Sequence, residues 1–128
     1  MPPNNSEDTA ICELLIWGKN MTTYAVGYLT DVHMGPEIVS YLERIDATLS
    51  PFGGYFVIHG GSKEQLEGQL RGDLVVISFP DSDAARAWYR SEAYQAIISL
   101  RTENSQSTVF LIEGVDRQHR ATDVLSQV

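Results

Sequence analysis

Apolar and polar positions along the chain change period several times, and each change marks an element. Residues 23–30, Thr-Tyr-Ala-Val-Gly-Tyr-Leu-Thr, form a β-branched and aromatic run with Tyr24, Val26 and Tyr28 on one face, which predicts a first strand. From Pro36 the spacing turns helical, with Ile38, Tyr41/Leu42, Ile45 and Leu49 recurring between Glu37, Glu43 and Arg44 and proline in the first turn. Ser50-Pro51-Phe52-Gly53-Gly54 stops that helix. Tyr55 to His59 reads as a second strand and Leu74 to Phe79 as a third, with Gly60-Gly61 and Leu66-Glu67-Gly68 in an irregular connection and Pro80 as the stop. Asp81-Ser82-Asp83 offers capping oxygens and negative charge to a helix through Ala84, Ala85 and Trp88, and Ser91-Glu92 predicts a second start for a helix reaching about Asn104. Thr108 to Glu113 is the last strand, and a short helix is expected near Ala121 to Leu125.

The order β-α-β-β-α-β predicts an α+β fold of the ferredoxin-like kind, an antiparallel sheet with its helices on one face. The second strand alternates Tyr55, Val57 and His59 against Phe56, Ile58 and Gly60, and the third alternates Leu74, Val76 and Ser78 against Val75, Ile77 and Phe79. Both faces are therefore largely apolar, although helices cover only one, and a face turned to water would alternate apolar with polar residues. The second face calls for a cover, which a symmetric partner supplies, so a homodimer through the sheet face is expected.

Residues 1–20 stand apart, because Pro2-Pro3-Asn4-Asn5-Ser6-Glu7-Asp8 is polar and breaker-rich and Ile11 to Trp17 is apolar without a period. The expectation is an N-terminal extension over 1–20, either a loosely docked arm or sequence ahead of a natural start at Met21. The ferredoxin-like domain then occupies 21–116 and a tail 117–128. With 17 acidic residues against nine Lys and Arg scattered singly from Lys19 to Arg120, the net charge is −8. No cluster is present to neutralise phosphates, so neither nucleic acid nor an anionic membrane is expected as a partner. Apolar runs such as Leu14-Leu15-Ile16-Trp17, which none exceeds, fall far short of the ~20 residues of a membrane helix. One cysteine, Cys12, excludes an internal disulfide, and the three histidines have no metal-finger spacing. These features fit a cytoplasmic protein with no metal or cofactor.

Phe52-Gly53-Gly54, Gly60-Gly61, Leu66-Glu67-Gly68, Phe79-Pro80, Ala84-Ala85, Trp88-Tyr89, Tyr94, Leu100-Arg101 and Glu113-Gly114, in that order and spacing, resemble the family called domain of unknown function 1330. The resemblance runs from about Thr23 to Val115. It implies membership of the dimeric α+β-barrel superfamily, whose relatives include cofactor-free monooxygenases, lactone isomerases, haem-degrading enzymes and proteins without known catalysis. Two positions depart from that family's usual pattern: His59 stands where an arginine is frequent, and Ser78 where an acidic residue is.

Arg101 is the most pointed candidate for chemistry. Tyr94, Ile97 or Ile98, and Arg101 recur at helical spacing, which places a guanidinium in an apolar stripe where it needs a carboxylate or a bound anion. It is either a substrate anchor, the partner of Glu67, Glu103 or Glu113, or a stem reaching out to water. His59 ends a strand beside two glycines that admit a close approach, and a histidine's ordinary pKa of ~6.5 suits a general acid or base; the alternative is a hydrogen-bonded turn histidine. Glu67 is placed to pair with His59 or Arg101, or else serves an ordinary turn. Trp88, Tyr89 and Tyr94 form an aromatic wall or simply core, and Tyr28 and Tyr41 either point hydroxyls into the same cavity or pack. His33, in the loop entering the first helix, is either at a pocket rim or exposed. The double glycines lack a strand-to-helix GxGxxG context, and no nucleophile elbow, P-loop or metal triad occurs. Two functions follow: a cofactor-independent enzyme of isomerase, lyase or monooxygenase type acting on a small organic metabolite, with or without a carboxylate, or a non-catalytic homodimer that binds a small molecule or partner.

Overall fold

A computed structural model describes residues 21–127 of the chain. The expectations for residues 1–20 lie outside the described residues. Strand β1 is Thr23–Thr30, helix α1 Pro36–Leu49, strand β2 Tyr55–His59, strand β3 Asp73–Phe79, helix α2 Ser82–Arg90, and strand β4 Gln106–Glu113. Between α2 and β4 the single helix expected through Asn104 is two short ones, α3 at Glu92–Gln95 and α4 at Ile98–Thr102. The break falls at Ile97, whose φ of −114° and ψ of −4° leave the regular helical path. The C-terminal helix expected near Ala121 is a 3₁₀ segment over Ala121–Gln127.

Local chemistry accounts for the boundaries. Gly35 in extended conformation and Pro36 in the first turn open α1. Past Leu49 a 3₁₀ turn through Ser50–Phe52 ends at Gly53, whose φ of 72° favours glycine. The Asp81 carboxylate accepts from the Ala84 amide at 2.8 Å and so caps α2. Ser91 Oγ accepts from the Tyr94 amide at 3.2 Å and caps α3.

The four strands lie in the order β2-β3-β1-β4 with every neighbouring pair antiparallel. The register sorts the two faces. Thr23, Ala25 and Gly27 of β1 stand opposite Phe79, Ile77 and Val75 of β3 and opposite Glu113, Leu111 and Val109 of β4. The helices cover this side, and Leu49, Ile77, Phe79, Ala85, Trp88, Tyr94 and Ile97 are buried against it. On the other side Tyr55, Phe110 and Ile112 remain 60%, 46% and 53% exposed. Within β2 an irregularity between Phe56 and Ile58 makes Phe56 pair with Ile77 but His59 with Val75. Strict alternation puts Phe56 and His59 on opposite faces; the extra residue brings both to the helix side. Among the described residues no helix is long and apolar enough to cross a membrane.

Candidate functional site

The helix layer does not close completely on the sheet. Between them lies a cavity of ≈ 100 Å³ with almost wholly apolar walls, among them Ile38, Ile45, Phe56, Ile77 and Trp88. Its polar groups sit at opposite edges of the sheet: His59 on β2, and Arg101 reaching Ser107 on β4. Those edge strands are three spacings apart, about 14 Å at ~4.8 Å each.

Arg101 lies in the last turn of α4 and is 5% exposed. Its Nη1 donates to Ser107 Oγ, its Nη2 donates to Tyr94 Oη at 3.5 Å, and its guanidinium carbon lies 5.9 Å from the centre of the Tyr41 ring. Among the described residues no carboxylate pairs with it; Glu113 instead accepts from Ser82 Oγ at 2.9 Å, and the ion pairs present are Arg86 with Asp83 and His119 with Asp123. The Tyr41 and Tyr94 hydroxyls are 2.7 Å apart, brought together by α1 and α3. Burial pushes the Tyr41 phenol well above its ordinary pKa, reinforced by Tyr94 and only partly opposed by Arg101, so Tyr41 keeps its proton. Burial alone lowers the pKa of Arg101, but the Tyr94 and Tyr41 oxygens more than offset this, and the guanidinium keeps its charge. A permanent cation thus lies in an apolar layer with only hydroxyls and a ring face against it.

His59 stacks on Phe56 with ring centres 4.4 Å apart and planes 10° from parallel. Its side chain makes no hydrogen bond among the described residues and is exposed at the edge of the cavity. Gly60 and Gly61 follow at φ 72° and 83°, where a Cβ would meet nothing within 4 Å; backbone conformation, not crowding, selects glycine there. Trp88 is 2% exposed, packs on Tyr94 at 4.2 Å between ring centres, and donates from Nε1 to Thr48 Oγ1 at 3.0 Å. It therefore serves as both core and cavity wall.

Several candidates lie elsewhere. Tyr28 occupies the sheet face opposite the helices, where its hydroxyl accepts from the Arg71 and Gly72 amides at 3.1 and 2.8 Å and fixes the entry to β3. Tyr89 is outside the cavity, in a groove with Arg86, Arg90 and Phe110 at the β4 edge. His33 is exposed in the loop before α1 and bonds through its backbone amide to the Asn104 carbonyl at 2.8 Å. Glu67 is exposed on the β2–β3 connection and does not line the cavity. Two residues that pattern reading did not single out join the site. Ser107 and Glu113 are the polar positions flanking Val109 and Leu111 on the helix side of β4, a signal visible in the alternation. Phe56 pairs with Ile77 on the helix side, and the bulge after it, which leaves no trace in composition, brings His59 alongside. No group of three His, Cys, Asp or Glu side chains is placed to hold a metal ion among the described residues.

A four-stranded antiparallel sheet in split βαβ order with its helices on one face defines a ferredoxin-like α+β domain. The chain belongs to the family described as a domain of unknown function, DUF1330, which matches residues 22–115. Among solved structures it is similar to RPA0582, a protein of unknown function from Rhodopseudomonas palustris, at 15% identity over 91% of this chain and 96% of that one, with a TM-score of 0.59. It is also similar to SnoaB, a cofactor-independent oxygenase from Streptomyces nogalater, at 20% identity over 78% of this chain and 99% of that one, TM-score 0.54. A dimeric ferredoxin-like protein of unknown function from Jannaschia shares 11% identity over 73% and 99% of the two chains, TM-score 0.52. At these identities the likeness is one of fold. No curated protein matches the sequence.

Proposed function

We propose that the protein is a cofactor-independent enzyme of isomerase, lyase or monooxygenase type, acting on a small organic molecule in the cavity between sheet and helices. The observation that carries this reading is a single apolar cavity with a buried cation at one edge and an unencumbered imidazole at the other. Arg101 holds the substrate, His59 moves a proton at its far end with its ring plane set by Phe56, and Tyr41, Trp88 and Tyr94 exclude water. The description of SnoaB as a cofactor-independent oxygenase supports the same scaffold for such chemistry.

The test is a panel of small enolisable ketones, phenols and acids, with product followed by mass spectrometry and oxygen uptake by electrode. Wild type turns over at least one compound, and His59→Gln, folded by circular dichroism, turns it over about 10²–10⁴ times more slowly. An unchanged rate in His59→Gln removes the imidazole from the mechanism. A non-catalytic binding protein is the second reading, favoured by one observation: among the described residues the ion pairs are Arg86 with Asp83 and His119 with Asp123, so no carboxylate there orients the His59 imidazole. Binding without turnover across the panel selects it.

The open sheet face completes the proposal. Tyr55, Phe110 and Ile112 form an exposed apolar surface, and the dimeric Jannaschia neighbour supports a second copy of this chain as its cover. Sedimentation should give a dimer for wild type and a monomer for Phe110→Glu. A monomeric wild type at micromolar concentration would remove the dimer.

A further inference from the structure

Where Arg101, Tyr41 and Tyr94 line the otherwise apolar cavity, N–H and O–H donors outnumber the acceptors beside them. A guanidinium carries five N–H groups, more than the Ser107 Oγ and Tyr94 Oη that accept from Arg101 and the Tyr41 oxygen beside it can satisfy. The Tyr41 and Tyr94 oxygens, 2.7 Å apart, have room for one proton between them. The proton of the other hydroxyl has no acceptor among the described residues. Arg101, Tyr94 and Tyr41 are 5%, 2% and 8% exposed, and all three line the cavity. Buried donors without acceptors are costly, and a ligand that brings acceptors removes that cost.

We propose that this cradle binds the carboxylate head of a short apolar acid whose body lies along the cavity toward His59, anchored by Arg101 and by the spare phenolic proton of the Tyr41 and Tyr94 pair. The inference rests on reading the cavity as a ligand site, but not on chemistry occurring there. In the sequence Arg101 to Tyr94 to Tyr41 to ligand, each hydrogen bond polarises the next, which strengthens the final donor. A cavity of ≈ 100 Å³ is smaller than the ~150 Å³ that encloses a benzene, so the body is a short branched chain, or one ring extending through the mouth. The cradle also discriminates. A carboxylate is acceptor-only, whereas the matching amide brings two N–H groups that cannot pair with the guanidinium and must compete with it for the hydroxyl oxygens.

The experiment is calorimetric titration of the full chain with 3-methylbutanoate and benzoate, each against its primary amide. At least one acid should bind wild type about tenfold or more tightly than its amide, the ratio expected from a charge-assisted contact. Arg101→Met should abolish that preference. Removing one hydroxyl frees the proton of the other, so the informative variant is the double Tyr41→Phe, Tyr94→Phe chain, in which acid affinity falls about tenfold and amide affinity falls less, because the lost bond to a carboxylate is the stronger one. Acids and amides binding wild type alike, or no acid binding, overturns the proposal without reference to any variant. Acid preference with no turnover leaves this inference standing and sinks the enzyme reading; turnover of a neutral compound without acid preference does the reverse.

Discussion

The two ends of the layer between sheet and helices are equally buried and differ in how their polar groups are satisfied. At the end near the α1 C-terminus, Leu49, Phe79 and Ala85 are 2%, 1% and 0% exposed. Packing there is tight enough that a Cβ on Gly54 would come within 2.6 Å of Phe79 Cε1. Each buried side-chain donor at that end has an acceptor: Trp88 Nε1 donates to Thr48 Oγ1 at 3.0 Å, and Thr48 Oγ1 donates to the Ile45 carbonyl at 2.7 Å. At the other end Arg101, Tyr94 and Tyr41 surround a cavity with donors to spare. Burial alone does not separate core from site. The separating quantity is whether each buried polar group has found its partner inside the protein.

Phe79→Ala tests the packed end hardest. Removing a fully buried ring from a region that cannot collapse should cost about 3–5 kcal/mol, read as a lower urea midpoint at unchanged slope. A loss under about 1 kcal/mol would mean that this end is as loosely packed as the other, and the contrast would disappear. Thr48→Val comes next. It conserves shape and removes the acceptor of the Trp88 N–H, so it should cost about 1–3 kcal/mol by the same measurement. A neutral Thr48→Val would show that an unsatisfied donor is tolerated at the packed end too.

The elements that were legible in the sequence are those whose signals are local. β1 over Thr23–Thr30 and α1 over Pro36–Leu49 follow from period alone, and the caps at Asp81 and Ser91 follow from side chains that bond their own backbone a few residues on. The site was legible only in part, because its geometry depends on register. Alternation groups Tyr28 with Tyr24 and Val26 but does not say which face the helices cover, and the covered face is the opposite one. The bulge in β2 moves His59 to the side of Phe56 through one extra residue that no composition marks. For Arg101 the sequence offers Glu67, Glu103 and Glu113 as partners; the register of β4 delivers Ser107 instead, and the break at Ile97 still lets Tyr94 and Arg101 meet.

Arg101→Met has the smallest expected effect on stability and the most informative sign. Where a buried arginine is half of an internal ion pair, removing it leaves a stranded carboxylate and costs about 3–5 kcal/mol. Here the groups left behind are Ser107, Tyr94 and the Tyr41 ring, none of them an anion paired with the guanidinium. The methionine fills similar volume, and the desolvated charge disappears with its spare donors. Urea unfolding of the ligand-free chain should therefore give Arg101→Met a stability equal to wild type or higher by up to about 1 kcal/mol. Added benzoate should then raise the midpoint of wild type and leave that of the variant where it was. A loss of about 3 kcal/mol or more would instead make Arg101 part of the structural core, with the loose end of the layer held together by the very residue that otherwise marks it as a site.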